Sequence, residues 1–169
     1  MNKLRQVWQH RWMRIAIEAF VIILIVVAVR SWTQRGMISG PAPEFQADLL
    51  NGKAYALLAD TRRPLLVHFW ASWCPVCKLE QQSIQSINEN HAVITIAMQS
   101  GEAEEVIAYL YQERLQFPVI NDPEGMLAQR FGVRAVPSSF IIDKNNTIVF
   151  RETGFTTGIG LRLRLWLAK

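Results

Sequence analysis

The chain has 169 residues, half of them hydrophobic, and a formal net charge of +4. That length supports one ordinary domain plus an appendage, with about 130 residues available to bury a single core. Six cations (Lys3, Arg5, Arg11, Arg14, Arg30 and Arg35) against Glu18 put the basicity in the first 35 residues; the remainder is close to neutral, which excludes a nucleic-acid footprint on the domain.

From Ile15 to Val29 the chain is apolar except for Glu18, with Trp12 and Trp32 at either end. A run of about twenty such residues is long enough, as a helix, to cross a bilayer, so residues 15–34 are predicted to be a transmembrane anchor. More cations precede it than follow it closely, which keeps residues 1–14 in the cytoplasm and exports the rest. Glu18 stands within a turn of Arg14 and can reach the interface. A cleaved signal peptide is the competing reading, but the apolar run is long for one, no Ala-x-Ala follows, and Pro41 and Pro43 crowd the cleavage region. Residues 35–43, rich in Gly and Pro and without apolar periodicity, read as a linker ending in extended structure. Residues 44–169 form the domain.

Asn51-Gly52 between two short strand-like stretches predicts a hairpin. Leu65 to Phe69 is an apolar run interrupted by His68, as expected of a central strand covered on both faces. The only two cysteines, Cys74 and Cys77, follow at once, in Phe69-Trp70-Ala71-Ser72-Trp73-Cys74-Pro75-Val76-Cys77. A Cys-x-x-Cys between strand and helix presents its first sulfur to solvent at the positive helix end, where a thiolate is favoured. The second sulfur is placed to attack a mixed disulfide formed on the first. His10, His68 and His91 show no ligand-like spacing for a structural zinc, and a disulfide across so short a loop removes little unfolded-state entropy. Residues from Cys74 to Asn90 read as a helix, with Pro75 suited to its first turn. Glu80, three residues after Cys77, can stand near the pair; the alternative is a helix-start acid held by the dipole. His68 either lies beneath the sulfurs, accepting a proton from Cys77, or is a buried histidine bonded to a backbone carbonyl.

Ala92 to Met98 is a second buried strand. Residues from Glu102 to Leu115 form an amphipathic helix capped by Ser100, Phe117 to Ile120 a short strand, and Asn121-Asp122-Pro123 starts another helix that Gly132 stops. Ser139 to Ile142 and Thr147 to Phe150 are strands joined by the turn Asp143 to Asn146. The last stretch alternates as Leu161-Arg-Leu-Arg-Leu165, a strand period, but Leu, Arg and Ala are good helix formers, and a helix is expected.

The cysteine stretch, with Val136-Pro137 some sixty residues on, resembles the thioredoxin superfamily, and specifically its membrane-anchored TlpA/ResA/CcmG (DsbE) branch; the Cys-Pro-Val-Cys variant is similar to the suppressor-of-copper-sensitivity protein D (ScsD) group. The resemblance implies an α/β thioredoxin fold: a central mixed sheet flanked by helices, with an N-terminal β-hairpin and a strand-helix insertion. It implies that Pro137 is cis and that Val136 and Pro137 face the cysteines and dock a client strand. Trp73 and Pro75 support the pair, and Glu80 matches an acid thought to tune cysteine ionisation. It further implies a periplasmic, inner-membrane reductase of client disulfides, re-reduced by a DsbD/ScsB-like membrane electron donor, with the Cys74–Cys77 disulfide as its redox group and no metal or other cofactor. Two alternatives stand. An oxidising member of the same fold shares the spacing. A Sco-like copper metallochaperone wants three residues between the cysteines and a histidine far downstream, and this chain has two residues between them and no histidine after His91. A peroxiredoxin wants Pro-x-x-x-Thr-x-x-Cys, and Val67 and Ala71 stand at its two required places.

Overall fold

The computed structural model describes residues 2–169, with the side chains of residues 2–12 and 30–33 left out of the description. The chain divides into two compact units, one ending at Arg35 and one spanning Gly36–Lys169. The first is the helix α1 (Asn2–Thr33), in which every described side chain from Met13 to Val29 is exposed. Among the described residues no helix is long and apolar enough to cross a membrane. The anchor expected at 15–34 is therefore not found there, and part of it falls on side chains outside the described residues.

The second unit runs β1 (Gly40–Pro41), β2 (Gln46–Asp48), β3 (Ala54–Ala56), β4 (Leu65–Trp70), α2 (Pro75–Asn88), β5 (Ala92–Met98), α3 (Ala103–Gln112), β6 (Val119–Asp122), α4 (Met126–Arg130), β7 (Ser138–Ile142), β8 (Thr147–Thr153) and α5 (Gly158–Leu167). Six strands form one mixed sheet in the order β1-β8-β7-β4-β5-β6, and β2 and β3 form the expected hairpin. β4 is fully buried and sits between β5, to which it is parallel, and β7, to which it is antiparallel. A strand covered on both faces must be apolar on both, which is why Leu65, Leu66, Val67 and Phe69 do not alternate.

The alternation of side chains across the sheet sorts the core into two layers. Leu65, Val67 and Phe69 pack with Phe131, Phe140 and the hairpin's Phe45 and Tyr55. Leu66 and Trp70 face α2, α3 and α5 through Ile84, Val106, Leu161 and Leu165. A complete sheet and both core layers thus lie within Gly36–Lys169, so this unit folds without α1.

Three details differ from the sequence reading. Residues counted as linker join the fold: Met37 is buried, and Gly40 and Pro41 pair with Ile148 and Thr147. Ser100 does not cap α3. Glu102 holds the cap position, its N–H donating to Glu105 Oε2 at 2.8 Å. α4 starts later than expected, because Asn121 and Asp122 pair with Ala97 and Met98 as part of β6; the Asp122 carboxylate instead reaches forward and accepts the N–H groups of Leu127 and Ala128.

Gly132 ends this segment in the left-handed region (φ 68°), and a Cβ there would meet the Gly36 carbonyl oxygen at 1.8 Å. Gly52, at the hairpin turn, has a similar φ of 77° with open space around it. Gly52→Ala is expected to cost about 1 kcal/mol, the backbone penalty alone. Gly132→Ala adds a steric clash with fixed backbone and is expected to cost about 3 kcal/mol or more, read as urea midpoints; equal losses at the two positions would refute the clash.

Candidate active site

β4 ends at Trp70, and four residues later Cys74 stands as the N-cap of α2, in extended backbone (φ −90°, ψ 110°) with Pro75 in the first turn. Capping normally uses a side-chain oxygen; here sulfur takes its place, Cys74 Sγ accepting the Cys77 N–H at 3.2 Å. The same Sγ donates to the Val136 carbonyl at 3.6 Å. Both cysteines are free thiols.

The expectation that Cys74 opens freely to solvent needs correcting. Its surface is 4% exposed and that of Cys77 is fully buried. Sγ is folded in between the Cys77 N–H and the Val136 carbonyl, so the approach to it is narrow. Trp73 is 60% exposed, Pro75 and Val76 are exposed, and Val136 is half-buried above a buried Pro137. The Val136–Pro137 peptide bond is cis, as the resemblance implied, and Arg63–Pro64 is a second cis bond that the sequence reading did not foresee.

Burial first, then the hydrogen bond with Cys74 and the charges of Cys74 and Glu80, push the Cys77 thiol well above its ordinary range, only partly opposed by the Ala71 backbone. Glu80 is buried one turn further along α2. Desolvation pushes its carboxyl up to about 7, against the pull of the Thr156 N–H that donates to its Oε1. Glu80 thus stands three residues after Cys77 on α2, its carboxyl raised to about 7, and its charge adds to the upward push on the Cys77 thiol.

His68 lies on the same face of β4 as Leu66 and Trp70, but its Nδ1 is 2.9 Å from Ser139 Oγ, its cross-strand neighbour, rather than from a backbone carbonyl. Burial lowers its pKa to about 4, so the ring is neutral. The register places Thr95, His68, Ser139 and Glu152 in one buried polar row across four strands, and Arg164 from α5 closes it on Glu152 at 2.8 Å. Nε2 of His68 is buried without a partner.

A second set of contacts holds the cysteine loop from the side. Ser72 N–H donates to Ser100 Oγ at 3.0 Å, and Trp73 Nε1 donates to the Gln99 carbonyl at 2.8 Å. Gln99 adopts φ 48°, unusual for a residue other than glycine, and its own N–H donates to the Asp122 carbonyl. Sequence reasoning assigns Ser100 only a helix-capping role and gives no site role to Gln99, Ser139 or Thr156. Gln99 and Thr156 act through backbone atoms and so leave no side-chain signature, whereas a serine directly after a buried strand was a readable clue.

A strand that delivers a Cys-x-x-Cys to a helix N-terminus, faced by a cis-proline loop in a mixed sheet, defines a thioredoxin-like thiol-disulfide oxidoreductase. Residues 38–151 match the AhpC/TSA family, and the chain belongs to it. Over 155 residues, covering 90% of this chain and 92% of the relative, it is 26% identical to a thioredoxin-like protein of Haemophilus influenzae. It is 30% identical over 146 residues to the thiol:disulfide interchange protein DsbE of Xylella fastidiosa, covering 79% of this chain and 72% of that one. The crystal structure of StoA from Bacillus subtilis shares the fold, with a TM-score of 0.63 at 23% identity over 72% of this chain and 95% of that one.

The Glu80 environment predicts a pH dependence. The folded carboxyl keeps its proton up to about 7 while the unfolded one loses it near 4.5, so stability falls as pH rises through that window. His68 works in the opposite sense, stability falling as pH drops from 6.5 towards 4. Glu80→Gln removes only the first effect. Its urea midpoint, relative to the unsubstituted protein, is expected to rise between pH 5 and pH 8, and a constant difference would show that Glu80 ionises normally.

Proposed function

We propose that the chain is a membrane-tethered periplasmic reductase of client protein disulfides. The observation that carries this reading is the asymmetry of the two thiols: one at the α2 N-cap beside the Val136 carbonyl, the other sealed beneath it and hard to ionise. Cys74, as thiolate, attacks a client disulfide; a Cys74–client bond forms and one client sulfur leaves as thiolate. Glu80, as carboxylate, takes the Cys77 proton, and Cys77 attacks Cys74 Sγ. The second client sulfur leaves, and the Cys74–Cys77 disulfide carries the oxidation. Two electrons have passed to the client. A DsbD/ScsB-like donor in the inner membrane returns them.

The Cys77 thiol also favours the reducing direction. A disulfide whose inner sulfur is a poor leaving group resists reduction, so the dithiol is the stronger electron donor. Strong oxidants owe their potential to a stabilised reduced form. Val136 and Pro137 dock the client backbone and Trp73 forms one wall of the approach. In this cycle His68 stays neutral and holds β4 to β7 through Ser139. The similarity to the ScsD group suggests clients damaged under metal stress.

The tether is supported by α1, where every side chain from Ala19 to Val29 is apolar and exposed. Such a surface needs a non-aqueous environment. With cations concentrated before it, the N-terminus stays in the cytoplasm and the domain is outside.

Cys77→Ala, expressed in cells, is expected to trap mixed disulfides on Cys74 with a DsbD-like donor and a small set of reduced-thiol clients, identified by mass spectrometry. Trapping chiefly newly exported proteins with several disulfides, together with an oxidase, would reverse the direction. The full chain is expected to stay in the membrane pellet after carbonate extraction, and its release would remove the tether.

A further inference from the structure

The helix α5 carries two apolar stripes. Leu161, Leu165 and Ala168 face the core. On the other side Ile159 (81% exposed), Leu163, Trp166 (61%) and Leu167 stand in solvent. At about 100° per residue these four occupy one face of roughly a third of the helix circumference, opposite the core stripe. Arg162 falls on one flank of that face and Arg164 on the other, and Lys169 lies just past the helix end. From Thr153 to the end of the chain there is no acidic residue. Arg162 donates to Ser86 Oγ at 2.9 Å and Arg164 pairs with Glu152, which fixes both guanidinium groups at the edges of the stripe.

We propose that this outer face of α5 is a lipid-contact surface that lays the catalytic domain on an anionic bilayer. A tryptophan and branched aliphatics on one face, rimmed by arginine and lysine, is the pattern of a helix lying in a membrane interface, with rings and methyls in the acyl boundary and cations at the headgroups. The charge matches an anionic leaflet. A second copy of the chain is the poorer occupant: one helix of about 15 Å cannot supply the ~1,200 Å² that stable interfaces bury, and apposed stripes would bring the cationic rims together. The setting rests on the tether proposed above, which keeps the domain near a bilayer. α5 runs alongside α2 from the level of Glu80, near Thr156, to the level of Ser86, near Arg162. The redox pair, one turn before Glu80, thus lies beyond the N-terminal end of the lipid-facing stripe.

The test uses residues 36–169, which hold the whole sheet and both core layers, so that α1 contributes nothing. Co-sedimentation is measured with vesicles of phosphatidylcholine alone and with about one part phosphatidylglycerol in four. Partitioning is expected to be about tenfold stronger on the anionic vesicles, to weaken in high salt, and to fall about tenfold or more in Leu163→Ser/Trp166→Ser. Both residues are exposed, so the variant should keep its insulin-disulfide turnover. Val149→Ser, an exposed apolar residue on β8, serves as the control and should bind like the parent. No binding to anionic vesicles, or binding that the double variant retains, overturns the proposal, as does a lipid-free dimer abolished by the same variant. Carbonate extraction of the full chain decides the tether independently, so the failure of one reading is distinguishable from the failure of the other.

Discussion

The register between β4 and β7 is the constraint on which the site depends. Phe69 lies opposite Ser138, His68 opposite Ser139 and Val67 opposite Phe140. Because Pro137 immediately precedes β7 and the cysteine loop immediately follows β4, this pairing fixes the Val136 carbonyl beside Cys74. A slip of one residue would exchange the two faces of β4, turning His68 into the layer of Phe131 and Phe140 and Phe69 towards α2. The aromatic cluster of Phe69, Phe131 and Phe140, with ring centroids 5.1 to 5.8 Å apart, penalises that slip on one face. The polar row of Thr95, His68, Ser139 and Glu152 penalises it on the other, since a buried ring nitrogen that lost Ser139 would be left unpaired. His68 thus contributes to the site through alignment.

The segment between β5 and β7 adds a second layer of control. It positions the loop that holds Ser72 and Trp73, and it does so from the sheet outwards. Gln99 is anchored through its N–H to the Asp122 carbonyl, Asn121 Nδ2 donates to the Gly101 carbonyl, and Asp122 also caps α4. The indole of Trp73, although largely in water, is tied by its Nε1 to backbone whose conformation is set by β6. Trp70, on the inner side, stacks on Tyr109 of α3 at 5.5 Å and meets Phe117 edge-on. The two tryptophans that bracket Ala71 and Ser72 are therefore both held by the segment between β5 and β7, which ties it mechanically to the redox loop.

Much of this could be read from the chain because it rests on short-range patterns. The apolar runs gave β5 as Ala92–Met98, and Asn51-Gly52 gave the hairpin. For α5, the leucine alternation looked like a strand, and intrinsic propensity correctly prevailed. The losses came where partners are distant in sequence or are backbone atoms. The Thr156 N–H on Glu80 comes from 76 residues away, and the pairing of Gly40-Pro41 with β8 needs the whole sheet to exist first. Ser100 shows the ambiguity of a local signal: serine before an acidic helix start reads as a cap, but its hydroxyl is bound to Ser72 N–H and the Met98 carbonyl, and Glu105 serves the helix instead. Cys74 shows another. A helix N-cap is an exposed position in general, and only the cis-proline loop folded over it makes this one nearly closed.

That near closure has a chemical consequence for the proposed cycle. Burial shifts His68 and Glu80 in opposite directions from their ordinary values. His68, at about 4, has no charge to give or take between pH 5 and pH 8, whereas Glu80, at about 7, exists in both forms there. A proton acceptor is effective when its pKa lies near the working pH and it reaches the donor. Glu80 meets the first condition, and it is the acid whose charge acts on Cys77. Its ionisation also raises the Cys77 thiol further, so a carboxylate at this place holds the inner cysteine protonated until the mixed disulfide demands its proton. The same burial that destabilises the Glu80 carboxylate therefore serves the resolving step, which links a stability cost in α2 to the function proposed for its first turn.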